Sequence, residues 1–391
     1  MDPRGNHDKA TGEDKHMNHV HVCLVSDQPI PNLIPIKINE LKPEKIIFLV
    51  SSDMNVQFER LKKVITEWDS NIVIEKRSIE PYNLESAINT CLDTLVSIEN
   101  DRVTLNVTGG TKIMALAAFE VFKEQAVIYV DTKDRQILQI SPNKKKLEFK
   151  DVVKIKPYLA AYGQDIQKED TDSKRIKNHY PIIERLVKEI SSFESPISKL
   201  NKYASQARKS KSFPHRENIS DADFYPNFLK LLSLLDSFGI IKLSGKTVEF
   251  PTYADACFAS GDWLCEYVYH VASSLSPKDL KIGVEVKWDQ KGIKPPTNEY
   301  DVVFALNNQL FLIECKTKRF EGEDRETNSA DPIYKLDSLK DSAGGLFGKG
   351  MLVSYKKLTD DQKKRLKANK LEYCDSGNLK NLKEILKAWT K

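Results

Sequence analysis

The stretch Leu105-Asn-Val-Thr-Gly-Gly-Thr-Lys-Ile-Met-Ala-Leu-Ala-Ala-Phe119 runs from a strand, through two adjacent glycines, into a helix. A strand that turns on glycines directly into a helix is half of a βαβ unit, and the flanking sequence repeats the alternation. Strand candidates are Val20–Val25, Lys45–Val50, Asn71–Glu75, Arg102–Val107, Ala126–Val130 and Ile137–Ile140. Helical stretches fall near Leu33–Leu41, Val56–Trp68, Leu84–Ser97 and Thr111–Glu124. The strand runs are continuously apolar, as strands covered on both faces are, so residues 18–150 are expected to form a doubly wound, mostly parallel α/β sheet. Such sheets bind ligands beyond the carboxyl ends of their strands. Three of those ends are polar: Ser26-Asp27-Gln28, Ser51-Ser52-Asp53 and Thr108-Gly109-Gly110-Thr111.

The glycine turn superficially suggests an ATP-binding phosphate loop. Gly109-Gly110-Thr111-Lys112 has neither the G-x-x-x-x-G-K-[ST] spacing nor a hydroxyl residue after the lysine, and Gly344-Gly-Leu-Phe-Gly-Lys-Gly350 fails in the same way. What remains is a helix N-terminus with free N–H groups, two glycines, hydroxyls at Thr108 and Thr111, and one cation at Lys112. That set suits a phosphate or phosphodiester that is bound without being hydrolysed for energy. The alternative is a tight βα turn with a capping threonine.

Composition narrows the class. A chain of 391 residues fits two or three domains. Its 40% hydrophobic and 30% charged content is that of a globular protein, and runs such as Ile46–Val50 are too short to cross a bilayer, so no membrane association is expected. The N-terminus lacks the apolar core of a secretory signal. Residues up to about Met17 read as an expression leader, with His16-Met17 resembling a cloning junction. Cys23, Cys91, Cys257, Cys265, Cys315 and Cys374 are far apart in apolar patterns, and are read as reduced core thiols of a cytoplasmic protein. The net charge is only +4, but cations cluster at Arg208-Lys-Ser-Lys211, with His215 and Arg216 beyond, and at Lys363–Lys367. These clusters are either solvated surface or contacts to a polyanion.

Residues 151–252 change character. Gln164–Ser173 reads as a polar linker, Arg175–Ile190 and Asp221–Leu235 have helical spacing, and Phe238–Phe250 reads as a two-stranded wing turning at Ser244-Gly245. This is a linker and winged-helix-like connector. Residues 253–391 read as a helix at Ala259–Leu275, a strand at Lys281–Trp288, a hairpin of Asp301–Ala305 and Leu310–Thr317 around Asn307-Asn308, strands at Met351–Ser354 and Leu371–Cys374, and a closing helix at Leu379–Trp389.

The hairpin carries the strongest chemistry. Residues two apart on a strand share a face, so Glu314 and Lys316 project together while Ile313 and Cys315 face the core. Asp301 brings a second carboxylate to the same end of the sheet. With the backbone carbonyl of Cys315 these make a hard oxygen set for Mg²⁺ or Mn²⁺, and Lys316 is placed to orient a nucleophile and stabilise negative charge. Glu266, on the preceding helix, is either a further metal carboxylate or a solvent-facing or capping residue. A surface ion pair on an edge strand is the bland alternative for Asp301, Glu314 and Lys316, and the Leu310–Ile313 run argues for a central strand instead.

Asp301 followed by Glu314-Cys315-Lys316 resembles the PD-(D/E)XK nuclease superfamily, although no proline precedes the aspartate; the helix glutamate Glu266 is also typical of it. Asn106–Met114, together with Ser26–Pro29, resembles the CARF domain, the sensor of cyclic oligoadenylates in type III CRISPR systems. The order of parts from about Asn18 to Lys391 thus resembles the CARF-nuclease effectors of that defence. The resemblance implies a Rossmann-like CARF domain, a winged-helix-like middle and a restriction-endonuclease-like α/β domain. It further implies a homodimer sharing one cyclic tetra-adenylate, with Asn106, Thr108, Gly109, Gly110, Thr111 and Lys112 at the ligand and Ser26, Asp27, Gln28, Ser51 and Asp53 nearby. The expected activity is metal-dependent hydrolysis of single-stranded DNA or RNA, or nicking of supercoiled DNA, and the sequence does not choose among them. A ligand-responsive transcription regulator with a silent nuclease domain is the main rival. A restriction or repair nuclease with a merely dimerising N-terminal domain is the second.

Overall fold

The structure, a computed structural model, describes residues 17–170, 172–289, 297–317 and 332–391. The leader read before Met17 lies outside the described residues. Two compact units divide the chain, Met1–Phe149 and Lys150–Lys391.

In the first unit β1 (His19–Leu24), α1 (Ile30–Leu33), β2 (Lys45–Val50), α2 (Asn55–Trp68), β3 (Val73–Ser78), α3 (Leu84–Val96), β4 (Arg102–Asn106), α4 (Lys112–Phe122), β5 (Ala126–Asp131), β6 (Gln136–Ser141) and β7 (Lys145–Glu148) follow one another. They form a seven-stranded sheet in the order β3-β2-β1-β4-β5-β6-β7. The first five strands in that order are parallel and the last two join antiparallel. Val20, Val22, Leu24, Ile47, Leu49 and Leu105 are fully buried, which is why these strands lack a polar alternation. The order reverses between β1 and β4, the switch point at which ligands bind, so Ser26–Gln28 and Thr108–Thr111 leave the sheet from neighbouring strands. The helix expected at Leu33–Leu41 is instead α1 followed by two 3₁₀ turns, Pro35–Lys37 and Asn39–Leu41. Pro35 cannot donate the backbone hydrogen bond that a continuing helix would need there.

The second unit comprises α5 (Ile155–Ala161), β8 (Gln164–Asp170), α6 (Ser173–Lys188), α7 (Ile190–Ser210), β9 (His215–Asn218), α8 (Pro226–Ser237), β10 (Lys242–Ser244), β11 (Thr247–Phe250), α9 (Tyr253–Cys257), α10 (Trp263–Ser273), β12 (Asp279–Trp288), β13 (Thr297–Leu306), β14 (Gln309–Lys316), α11 (Pro332–Gly344), β15 (Gly348–Ser354), α12 (Asp360–Ala368), β16 (Glu372–Cys374) and α13 (Leu382–Trp389). A small sheet, β10-β11-β9, adds a third strand to the expected wing. The main sheet runs β16-β15-β14-β13-β12-β8, which makes β14 a central strand. Asn307 and Asn308 close the β13–β14 hairpin with φ of 56° and 55°, the pair of left-handed residues that a two-residue turn requires.

Two departures from the sequence reading bear on the site. Gln164–Asp170, read as linker, is the edge strand β8 paired with β12; an edge strand with an open side tolerates polar residues, so its composition hid it. The single helix read over Ala259–Leu275 is broken by a π turn, Phe258–Asp262, because Gly261 takes φ 143°. That glycine allows the turn to press against Thr317, the residue after β14. Asn201 of α7 donates to the Thr317 carbonyl at 2.5 Å. One continuous core, from Ile176 to Leu386, joins the winged segment to the main sheet.

A Cβ at position 261 would lie 2.0 Å from the Thr317 hydroxyl oxygen. Gly261→Ala is therefore expected to cost about 2–5 kcal/mol in the denaturant unfolding of this unit, from backbone strain and overpacking together. Gly245→Ala, also at positive φ but facing nothing within 4 Å, provides the comparison. Equal losses in the two variants would refute the close-packing account.

Candidate functional site

β13 and β14 pair as far as Val302 with Ile313. One register step further Asp301 comes opposite Glu314, on the same face of the sheet. The strands part there: the Cys315 N–H donates at 2.7 Å to the Asp301 carboxylate in place of a backbone acceptor. Lys316 Nζ donates to Glu314 Oε1 at 3.1 Å. Alternate residues of a strand address alternate neighbours, and Lys316 C=O accepts from Tyr355 N–H on the β15 side. The Cys315 carbonyl therefore shares the Asp301 side of β14. All four groups of the expected site thus lie on one short segment, with Glu314 buried.

Burial, and then the charge of Glu314, push the Asp301 carboxyl well above the usual carboxylate range, against the Cys315 N–H and Lys316. Two carboxylates held this way on one half-buried face are short of positive charge. Together with the Cys315 carbonyl they form a donor set of hard oxygens, which fits a Mg²⁺- or Mn²⁺-sized cation. Cys265 and Cys315 also lie within 4.8 Å of each other and of Asp301. Their thiols are held protonated, Cys265 by its hydrogen bond to Cys315 and by burial, Cys315 by burial. Sulfur is a soft donor, so for a hard cation such as Mg²⁺ or Mn²⁺ the carboxylate and carbonyl oxygens are the better set.

Glu266 lies on α10 and is almost fully buried. One carboxylate oxygen meets His179 Nδ1 at 2.8 Å and the other Arg175 Nη2 at 3.4 Å, both from α6. Both oxygens are engaged by cationic or hydrogen-bonding partners on that helix. Sequence reasoning missed Asp262, the last residue of the π turn. Burial first, then the charges of Glu266 and Glu299, raise its carboxyl to about 6, opposed by Arg208 and Arg175. Arg208, from the first basic cluster, reaches back to donate to Ser260 at 2.9 Å. The glycine inside the helical run Ala259–Leu275 was the available signal for this turn.

At the switch point of the first unit the glycine turn packs on its own sheet. A Cβ on Gly109 would lie 2.3 Å from the Leu24 carbonyl oxygen of β1, and Gly110 has φ 72°. Asn106 is buried, its amide donating to Pro31 and Asn32 at 3.0 and 3.1 Å. Its carbonyl oxygen accepts from Thr108. Thr111 caps α4 by accepting from Met114 N–H at 3.2 Å. These five residues build the turn. Ser51 donates to Asp53 at 2.6 Å, Asp27 accepts from Gln57 at 2.8 Å, and Ser26 accepts from the Gln28 N–H at 3.3 Å. Lys112 is different. It is exposed, has no ion-pair partner among the described residues, and stands first in a helix whose dipole disfavours a cation there.

A doubly wound ligand-binding domain joined to a carboxylate–lysine endonuclease-like sheet defines the class. Residues 20–158 match the family model described as the Card1 CARF domain, and residues 253–391 match that of the Card1-like endonuclease domain. The chain belongs to the CARF-domain nuclease family. Among solved structures it is similar to protein VC1899 from Vibrio cholerae, with 24% identity, a TM-score of 0.87, and 95% of this chain and 98% of that one covered. It is also similar to Can2 from Sulfobacillus thermosulfidooxidans, solved in complex with cyclic tetra-adenylate, with 29% identity, a TM-score of 0.77, and coverage of 95% and 97%. A type III CRISPR defence DNA nuclease activated by cyclic oligoadenylate shares the fold at 13% identity and a TM-score of 0.51, over 90% of this chain and 52% of that one. No curated protein matches the sequence significantly.

Asp262 gives a pH prediction. Its folded-state carboxyl titrates near 6, above its ordinary value, so the neutral form is favoured by folding. The stability this contributes is complete below about pH 4 and is lost as pH rises through about 6, up to about 3 kcal/mol. Asp262→Asn should remove that component from metal-free unfolding curves measured between pH 4 and 7. A variant with the same pH slope as the parent protein would contradict the assignment.

Proposed function

We propose that the protein is a cyclic-tetra-adenylate-activated, metal-dependent nuclease of type III CRISPR defence, acting in the cytoplasm as a homodimer on single-stranded DNA or RNA or on supercoiled DNA. The carrying observation is the pairing of Asp301 with Glu314 and Lys316 where β13 and β14 part. A silent nuclease domain would have no use for a buried carboxylate set beside a half-buried one that it repels, which makes the transcription-regulator reading the poorer one.

In this reading Asp301, Glu314 and the Cys315 carbonyl hold Mg²⁺ or Mn²⁺, with Glu266 a further carboxylate contributor. When bound, the cation would supply Lewis-acid polarisation of the phosphodiester and a lowered pKa for bound water. Lys316 would position the attacking water and offset charge that develops on the phosphate. Glu314, as its hydrogen-bond acceptor, would keep the ammonium aimed at that place.

In the first unit the uncompensated Lys112 and the N–H groups at the start of α4 would receive a phosphate of the cyclic ligand. Thr108, Gly109, Gly110 and Thr111 shape the turn, Asn106 braces it from below, and Ser26, Asp27, Gln28, Ser51 and Asp53 form the neighbouring strand ends. The match to the CARF domain, and the cyclic tetra-adenylate complex of Can2, support this ligand class. The homodimer is supported by an apolar surface on α3 and α4, where Leu84, Leu92, Val96 and Leu116 are 45–67% exposed. Burying such residues between two copies would give the two-fold receptor that a symmetric ring requires.

Cleavage of single-stranded DNA, single-stranded RNA and supercoiled plasmid with Mn²⁺, each with cyclic tetra-adenylate, cyclic hexa-adenylate or neither, tests the reading. Dependence on the tetra-adenylate is expected, and equal activity without any ligand would favour the constitutive-nuclease rival. Lys316→Ala should lower the cleavage rate about 10²–10³-fold while ligand affinity stays within twofold. Lys112→Ala should raise the activator concentration needed for half-maximal cleavage about tenfold or more. An unchanged activation curve would remove Lys112 from the receptor.

A further inference from the structure

We propose that Cys265, Cys315 and Asp301 form a second cation site, selective for the thiophilic Zn²⁺, which competes with the oxygen set for the Asp301 carboxylate and so inhibits cleavage. The binding stands on these three donors alone; the inhibition rests on the nuclease reading. Cys315 alternates with Glu314 and Lys316 along β14, so its side chain takes the opposite face. There it joins the core that α10 supplies with Trp263, Leu264 and Val268. Cys265, also on α10, is hydrogen-bonded to it. Asp301 fills the gap where β13 and β14 part, its carboxylate accepting from the Cys315 N–H at 2.7 Å. One donor atom from each of the three residues lies within 4.8 Å of the other two.

Ordinary core packing would account for either thiol singly. It does not account for two thiols and a carboxylate that converge from a helix and two strands. Cys265 and Asp301 are also intermediate in burial, so the cluster stands at the margin of the core and not inside it. The spacing suits a small tetrahedral ion. With Zn–S near 2.3 Å and Zn–O near 2.0–2.2 Å, donor atoms around Zn²⁺ stand about 3.6–3.8 Å apart. The observed spacing exceeds this by about 1 Å at most, which rotation of the side chains can close.

Donor softness then decides which ion goes where. Mg²⁺ and Mn²⁺ gain little from sulfur, whereas two thiolates and one carboxylate are a set that Zn²⁺ prefers. Without a cation both thiols stay protonated. Binding exchanges two S–H bonds for two metal–sulfur bonds and releases both protons to solvent, so the divalent charge replaces the two protons. The two donor sets share Asp301, and occupation of the sulfur set withdraws that carboxylate from Glu314 and the Cys315 carbonyl.

The test uses the full-length protein, metal-free and kept reduced with a phosphine. Titration with Co²⁺, an optical stand-in for Zn²⁺, is expected to raise a thiolate-to-metal charge-transfer band that saturates at one equivalent per chain, with release of about two protons. Zn²⁺ should abolish the band. Cys265→Ser should lose it and bind Zn²⁺ at least about tenfold more weakly in competition with a chromogenic chelator. Cys265→Ala should behave alike, and the metal-free thermal unfolding of both variants should match that of the parent protein. With Mn²⁺ and activator, two equivalents of Zn²⁺ should slow cleavage by the parent protein about tenfold or more. Cys265→Ser should cleave at the parent rate in Mn²⁺ alone and stay within about twofold of it when Zn²⁺ is added. Absence of the band from the parent protein, or an equal band in Cys265→Ser, would overturn the proposal. So would equal Zn²⁺ inhibition of both proteins, which would place Zn²⁺ on the oxygen set. Because binding is read from absorption, a parent protein that cleaves no substrate would refute the nuclease reading and leave the cation site to stand or fall on the band.

Discussion

Two carboxylates cannot occupy one buried face of a sheet without a third charge or a donor, and the second unit is arranged around that constraint at Asp301 and Glu314. Continuing the β13–β14 ladder by one more backbone bond would leave both carboxylates unserved. The strands part instead, and the Cys315 N–H is released to Asp301 while Lys316 folds back on Glu314. Parting a ladder in a central strand is costly unless its end is held. Gly261 packs on the Thr317 side chain and Asn201 bonds its carbonyl, directly after the lysine. The winged segment therefore has a structural role in the site, since Asn201 belongs to α7 and shares the core that backs β14. Even so, the Asp301 carboxyl stays displaced toward its neutral form. That residual misfit is the ground on which a cation is proposed there.

The first unit carries the opposite imbalance. Its glycine turn is explained almost wholly by packing: Gly109 lets the chain pass over the Leu24 carbonyl, Gly110 supplies the left-handed residue, and Thr111 caps α4. Asn106 has both ends of its amide occupied below the turn. Residues that the sequence suggested as ligand contacts thus have a prior duty in shaping the turn. Lys112 has none. A cation at the positive end of a helix is unfavourable unless an anion arrives, which is the argument for a phosphodiester at this place.

Much of this was legible before any coordinates. β-branched runs separated by amphipathic stretches gave the parallel sheet, and the Leu310–Ile313 run identified β14 as central, because burial on both faces removes polar alternation. What was hidden follows a common physical pattern. β8 has the composition of a linker, since an edge strand can be polar and only its pairing partner reveals it. The π turn was read through as helix because a single glycine costs a helix only about 1 kcal/mol, and its contact with Thr317 is 56 residues away in sequence. For Glu266 the helix position was readable, but its partners Arg175 and His179 lie on a helix whose approach no local pattern encodes.

The informative residues in both units are those at which a local rule is broken and no internal compensation follows. Gly261 breaks helix propensity, yet its contact with Thr317 accounts for it. Lys112 opposes a helix dipole with no acidic neighbour in the first turn, and Asp301 is half-buried beside a like charge. In the proposed function each of these arrangements is met by a partner of opposite sign, a phosphodiester at Lys112 and a divalent cation at Asp301 and Glu314. The two signs agree with one proposed chemistry, in which a cyclic phosphodiester is bound in the first unit and a divalent cation in the second.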